Sequence, residues 1–422
     1  MQFLFIGIAL LGLTYFMFRK RRIDLFSLAF VSSCVYFLPG FFGYALHPSD
    51  LGAMQVSLVT ETYWVMVFVL GSILLGGVTF DARLAGKAPR FTLPGGRLAP
   101  VMAISLALFG LGMMILTTGW ALLDMDKGAM MAELNRWHVL FVVAMALAAV
   151  WAFTLERKLL LLFSLILLSC DVFIGFRATF AITGVTLFLL YLSAQGSQRA
   201  FPQHWRIGLI GCIAALLVFN YKYISAFIKA GLWDVVIERL SDPSFYLVTI
   251  LASEPFGTQA ILNEVVIRDF HVGFGHFMGL AYQFMIFAPQ LGGEAVSFND
   301  LFQPALFPGL DWRMANNIWA EMWSSGGWLL LILFAGVFNV LLGVGSYLLR
   351  LRDPVLRAWF ALLGAYWAFY IHRNDISFQI VLEKRVFLIG IVCILVSVVL
   401  CSAGYKKTRK NQLLQAHSRG GE

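Results

Sequence analysis

Charge is scarce in this chain: Asp, Glu, Lys and Arg make up 13% of its 422 residues, against 60% hydrophobic. A mean hydropathy of +0.81 excludes a soluble domain of ordinary composition and predicts an integral membrane protein. Paired cysteines are lacking too. Cys34, Cys170, Cys212, Cys393 and Cys401 all fall inside apolar runs, which supports neither a disulfide framework nor a zinc site. No internal repeat and no low-complexity linker interrupts the sequence, so 1–422 reads as a single integral membrane domain with one elaborated loop. Many secondary transporters consist of two related halves, and the missing repeat counts against a carrier.

What is present is apolar and long. Stretches able to cross a hydrocarbon core of about 30 Å lie near 2–18, 25–45, 62–80, 99–119, 137–155, 159–176, 178–194, 207–224, 326–349, 355–371 and 386–403. They predict an all-α polytopic protein with about eleven transmembrane helices. A formal charge of +8 suggests nucleic acid only until the positions of the charges are read. The alternate connecting segments 19–24, 81–98, 156–158, 195–206, 350–357 and 404–422 hold 20 of the 31 Lys and Arg. The positive-inside rule places these segments in the cytoplasm, with an outside N-terminus, an inside C-terminus and no nucleic-acid partner. Lys406-Lys407-Thr408-Arg409-Lys410 then anchors the tail beside anionic membrane lipid. The basic cluster Arg19–Arg22 follows the first apolar stretch, the wrong order for a cleaved signal peptide, so that stretch reads as a retained span.

The long loop, 225–317, faces away from the cytoplasm in this topology. Ile228, Leu232, Val235, Val236 and Leu240 recur at helical spacing, with Lys229, Asp234, Glu238 and Arg239 between them. They predict an amphipathic helix over 226–240 lying on the membrane surface, with Trp233 at headgroup level. Residues 273–291 are apolar enough for a further span, but a crossing there would put 350–357 and 404–422 on the wrong side. The segment therefore reads as interfacial or re-entrant.

Four arginines on the outer side, where positive charge is sparse, are candidates for holding an anion: Arg177, Arg268, Arg373 and Arg385. The guanidinium fork grips phosphate oxygens bidentately and stays charged at any working pH. The plainer alternatives are snorkelling or an ion pair with Asp171 for Arg177, and a local pair with Asp269 for Arg268. Clustered arginines can stabilise a leaving diphosphate. With no Asp-x-Asp or His-rich pattern in the loop, the site is predicted to use no metal and no cofactor. Glu321 stands where the chain re-enters the membrane, among Asn316, Asn317, Trp319 and Trp323. A partly desolvated carboxylate there is a candidate general base, with a helix-start carboxylate or an arginine's partner as the alternatives. His271 and His276 are competing bases. Glu254 is a candidate for acceptor hydroxyls. Trp312, Trp319, Trp323 and Trp328 are candidates for stacking on sugar rings, or ordinary interface tryptophans.

Taken together, Gly175-Phe176-Arg177-Ala178, Val266-Ile267-Arg268-Asp269-Phe270, Ala315-Asn316-Asn317 with Glu321 and Gly326-Gly327, and Arg373 with Arg385-Val386-Phe387 resemble the Wzy-type polysaccharide polymerases. These include the O-antigen and enterobacterial common antigen polymerases, and the common-antigen branch looks closest. The resemblance covers about 159–403. It implies an all-helical membrane glycosyltransferase (GT-C-like) fold, in a multi-pass enzyme at the periplasmic face of the bacterial inner membrane. The implied reaction moves a growing chain from undecaprenyl pyrophosphate to the nonreducing end of the next undecaprenyl-pyrophosphate-linked oligosaccharide. A flippase and a chain-length regulator are the implied partners. On this reading Arg177, Arg268, Arg373 and Arg385 bind the pyrophosphate, and Glu321, Asp269 or His271 assists deprotonation. Glu254, His276, Asn316, Asn317, Trp319 and Trp323 bind the acceptor or its sugar. O-antigen ligases, the nearest rival, commonly show His, then Asn, Ser or Gln, then nine residues and Gly at the corresponding junction. Here Asn316 stands in the histidine's place, with Asn317 and Gly327 in register, which argues against a ligase. A lipid-linked glycan transporter or flippase is the remaining alternative.

Overall fold

The computed structural model describes residues 1–19, 23–49, 52–84, 89, 91–93, 96–119, 136–174, 176–194, 220–221, 223–225, 227–228, 230–284, 296–310 and 312–419. In chain order the elements are α1 (Gln2–Phe18), α2 (Leu25–Tyr36), α3 (Leu38–Phe42), the antiparallel ribbon β1 (Tyr44–Ser49) and β2 (Gly52–Ser57), α4 (Thr60–Leu84), α5 (Ala99–Thr118), α6 (Arg136–Thr154), α7 (Lys158–Ile174) and α8 (Ala178–Ala194). The long loop contributes α9 (Trp233–Ser241), α10 (Pro243–Leu251), α11 (Glu254–Ile267), a 3-10 turn (Phe274–Gly279), α12 (Leu280–Phe284) and α13 (Phe298–Leu306). The chain ends with α14 (Ile318–Leu348), α15 (Pro354–Ala365) and α16 (Ile376–Arg419).

The protein is thus mostly helical, as a membrane protein of this composition should be. Among the described residues, six helices are long and apolar enough to cross a membrane: Thr60–Leu84, Gly96–Thr118, Arg136–Thr154, Ile318–Leu348, Pro354–Arg373 and Ile376–Ser402. The expected count of eleven is not reached. Helices α1, α7 and α8 have 17 residues each and α2 has 12, and most of 207–224 lies outside the described residues. The expected span 25–45 fails for a local reason. Helix α2 stops at Tyr36, Pro39 opens α3, and Gly43 turns left-handed (φ +86°) into the ribbon, a conformation glycine adopts without a Cβ penalty. In 273–291 the described part is the 3-10 turn and the five residues of α12; residues 285–291 lie outside the described residues.

Contacts divide the chain into two compact units: Met1–Lys87, Tyr191–Tyr347 and Gly364–Lys384 form the first, Ala88–Leu190, Leu348–Leu363 and Arg385–Glu422 the second. In the first, α11 is fastened to the beginning of α4 by the buried side chain of Asn263. Its Oδ1 accepts the Val59 N–H (3.0 Å) and the Thr62 hydroxyl (2.9 Å), and its Nδ2 donates to the Ser57 carbonyl (3.1 Å). Leu25, opening α2, is wedged against Gly345 of α14 and Gly364 of α15, where an added Cβ would come within 2.3 Å of it. In the second unit α5, α6 and α7 pack together, and Trp151 of α6 donates its indole N–H to the Val355 carbonyl (2.9 Å). Asp353 caps α15 through the Val355 and Leu356 N–H groups, both at 3.0 Å, satisfying donors that a helix start leaves free.

Helix α14 is interrupted. Gly326 (φ −169°, ψ 21°) and Gly327 (φ +55°, ψ −145°) are non-helical, and the Gly327 conformation is open in practice only to glycine. The break divides α14 into a buried first segment, Ile318–Ser325, and a longer segment from Trp328. A helix end leaves carbonyls without partners. The Ser324 carbonyl is taken by the Val272 N–H at 3.0 Å, which docks the loop segment after α11 onto the break.

Candidate functional site

The first segment of α14 and the turn Ile371–Arg373 before α16 organise a buried polar centre within the first unit. Asn317 starts the helix: its Oδ1 accepts the Trp319 and Ala320 N–H groups (3.0 and 3.2 Å), and its Nδ2 donates to the Thr258 carbonyl of α11 (2.8 Å). One helical turn on, Glu321 is fully enclosed. Its Oε2 accepts the Ile376 N–H at 2.8 Å, and its Oε1 lies 2.8 Å from His276 Nε2. The side chains of both partners are no more than 1% exposed.

Asp375 is the second hub and is equally buried. Its Oδ2 accepts from the Ser297 hydroxyl (2.5 Å), the Phe298 N–H (3.0 Å) and Asn316 Nδ2 (3.1 Å), while Oδ1 accepts the Phe378 N–H (2.6 Å) at the start of α16. One carboxylate therefore ties α13, the segment before α14 and α16 together through hydrogen bonds to a charged acceptor, each stronger than a neutral one. Asn316 is held a second time, its N–H donating to the Arg373 carbonyl (3.0 Å). Arg373 bonds Glu254 of α11 at 2.5 Å and lies over the Tyr370 ring, 4.9 Å from its centroid.

The structure thus brings together six of the residues singled out from the sequence: Glu321, His276, Asn316, Asn317, Arg373 and Glu254. Other candidates stand elsewhere. Arg268 caps α11 and pairs with Glu264 at 2.8 Å, one helical turn back, rather than with Asp269. Asp269 pairs with His271 at 3.0 Å, both exposed. Trp319 is wholly buried against Phe334 and Phe338 and donates its indole N–H to His372 Nδ1 (3.0 Å), so it offers no face to a sugar. Trp323 meets Trp328 edge-on, centroids 5.2 Å apart. Arg177 and Arg385 belong to the second unit. There Asp171, an expected partner of Arg177, pairs with His138 at 2.7 Å.

Three functional or supporting residues were not singled out from the sequence. Asp375 had a readable signal, an aspartate one residue before a helix start. His372 carried none, since its partners Trp319 and Ser33 lie far away in the sequence. His138 carried no signal, since its partner Asp171 lies 33 positions away. No family model, no curated protein and no solved structure matches this chain.

Proposed function

We propose that the protein is a membrane glycosyltransferase that polymerises undecaprenyl-pyrophosphate-linked oligosaccharides at the periplasmic face of the bacterial inner membrane. The observation that carries this reading is the buried Glu321–His276 pair at the junction of the long loop and α14, with Asn316 and the Arg373–Glu254 pair tied into the same hydrogen-bonded centre. Ionisable groups inside a membrane segment are costly and mark sites of chemistry or transport. This cluster has the parts that inverting or retaining glycosyl transfer needs at its acceptor: a group that takes up a proton, and polar atoms that orient a hydroxyl. Arg373 supplies positive charge for the diphosphate that leaves. The resemblance to the Wzy-type polymerases supplies the donor and acceptor. A GT-C-like architecture and the outside N-terminus belong to the same proposal.

Deleting the gene tests it. Single oligosaccharide units accumulating on the lipid carrier at the outer face are the expected result. Finished chains on the carrier would indicate a ligase, and units confined to the inner leaflet a flippase; either sinks the polymerase reading.

A further inference from the structure

Three buried polar atoms of this centre have no hydrogen-bond partner among the described residues: His276 Nδ1, Asn316 Oδ1 and Arg373 Nε. Buried polar groups are nearly always paired, so an orphan calls for an explanation. For Asn316 the orientation of the amide is settled by its neighbour. Nδ2 faces the Asp375 carboxylate, which accepts only, so Oδ1 is the free acceptor. For His276 the tautomer follows from Glu321. With Glu321 ionised, one oxygen of that carboxylate accepts a backbone N–H and the other faces Nε2, which sets the imidazole hydrogen on Nε2 and the lone pair on Nδ1. Two of the orphans therefore accept and one donates. A phosphate at neutral pH offers almost only acceptors, whereas a sugar's hydroxyls donate and accept.

The geometry points to a sugar-hydroxyl subsite in which His276 Nδ1 takes the acceptor proton, Asn316 Oδ1 accepts a second hydroxyl, and Glu321 positions His276 without touching substrate. This rests on the glycosyltransferase reading and moves the base from Glu321, both of whose oxygens are already engaged, to the histidine it holds, whose Nδ1 has no partner among the described residues. The hydroxyl O–H breaks and its proton goes to Nδ1. The oxygen bonds the anomeric carbon, and the anomeric C–O bond to the lipid pyrophosphate breaks, its electron pair leaving on the pyrophosphate. Nδ1 later returns its proton to water. Taking up the proton carries the His276–Glu321 pair from one negative charge to none, so the buried site loses a charge rather than gaining one.

Glu321→Gln is the discriminating variant. Its amide keeps an oxygen for the Ile376 N–H and turns its NH2 towards His276 Nε2, which forces the hydrogen onto Nδ1 and abolishes the acceptor. In the full-length protein in lipid nanodiscs, carbonyl-labelled Gly with 15N-His selects His276 alone, because Gly275–His276 is the single Gly–His step in the sequence. The expected solid-state NMR result is Nε2–H in the wild type and Nδ1–H in E321Q. With purified lipid-linked oligosaccharide as probe, E321Q and H276Q are expected to lose turnover by on the order of 10³–10⁴-fold. Asn316→Ala is expected to raise KM for the acceptor about tenfold with kcat little changed. Nδ1–H in the wild type overturns the inference whatever the reaction, and needs no variant to fold. The expected tautomers with unchanged turnover in H276Q overturn the proton-acceptor role. A deletion strain without lipid-linked units sinks the polymerase reading while the tautomer result stands.

Discussion

Trp319 and His372 show how a single residue can look functional and be structural. The indole N–H occupies His372 Nδ1, so the ring's hydrogen is on Nε2, which faces the Ser33 hydroxyl at 3.1 Å. Trp319→Phe keeps the ring and removes the donor, leaving a buried acceptor unpaired. We expect a stability loss of about 1–3 kcal/mol, measured by thermal unfolding in detergent, with the sugar-binding KM unchanged. An increase in KM would return Trp319 to the substrate. Asn317 is a second case: Asn317→Ala should cost about 1 kcal/mol or more as a lost helix cap, and Asn317→Ser should recover part of it. The residue types of the centre were legible in the sequence, but their pairing was not. Glu321 and His276 are 45 positions apart, and no local spacing reports such a meeting. For Arg268 the alternative of a local pair with Asp269 gives way to Glu264, one helical turn back in α11 at the i,i+4 spacing that pairs opposite charges.

At the scale of elements, the break in α14 is the feature on which the centre depends. It frees the Ser324 carbonyl for Val272 and so brings His276, four residues further along the loop, to Glu321. Gly327→Ala places a Cβ at φ +55°. Such backbone strain costs of order 1–3 kcal/mol, although the position itself is open. We expect the protein to insert and activity to fall, because the segment regains helical geometry and Val272 loses its acceptor. Full activity in G327A would show that the break is incidental. Packing in the second unit makes the opposite prediction. At Gly390 a Cβ would come within 2.3 Å of the Trp359 indole, which donates to the Val386 carbonyl (3.3 Å). Gly390→Ala should therefore cost about 1–3 kcal/mol by overpacking, read as a lower unfolding temperature. Elements were legible where apolar runs are long and uninterrupted, as in α4 and α5. They were misread where turn residues sit inside the run. Pro39, Gly40 and Gly43 cut the second expected span short, and the strand pair follows at Tyr44–Ser57.

For the whole molecule, charge asymmetry yields a prediction that hydropathy alone does not. In a background with the native cysteines replaced, a cysteine at position 271 should react with a membrane-impermeant maleimide applied from outside. One at position 410 should react only after permeabilisation. The reverse pattern would invert the topology and remove the proposed centre from the periplasmic face. The membrane character of the chain was legible because it is a sum over hundreds of residues and insensitive to where any one span ends. The number of spans was not, because it turns on lengths near the limit: at 17 residues α1, α7 and α8 stand at the lower end of what crosses a hydrocarbon core. Assembly of the centre is likewise a property of the whole first unit, since its residues come from α11, α13, α14, α16 and the segments between them.

Trp323 and Trp328 stand on either side of the glycine pair, rings 79° apart. Two indoles that close couple their electronic transitions, and the sign and size of the coupling follow their mutual angle. The bend in α14 therefore carries its own optical gauge. Near-ultraviolet circular dichroism of the wild type minus Trp328→Phe isolates that couplet from the other tryptophans. Any ligand or substitution that straightens the helix would be read in solution as its loss, with no label attached.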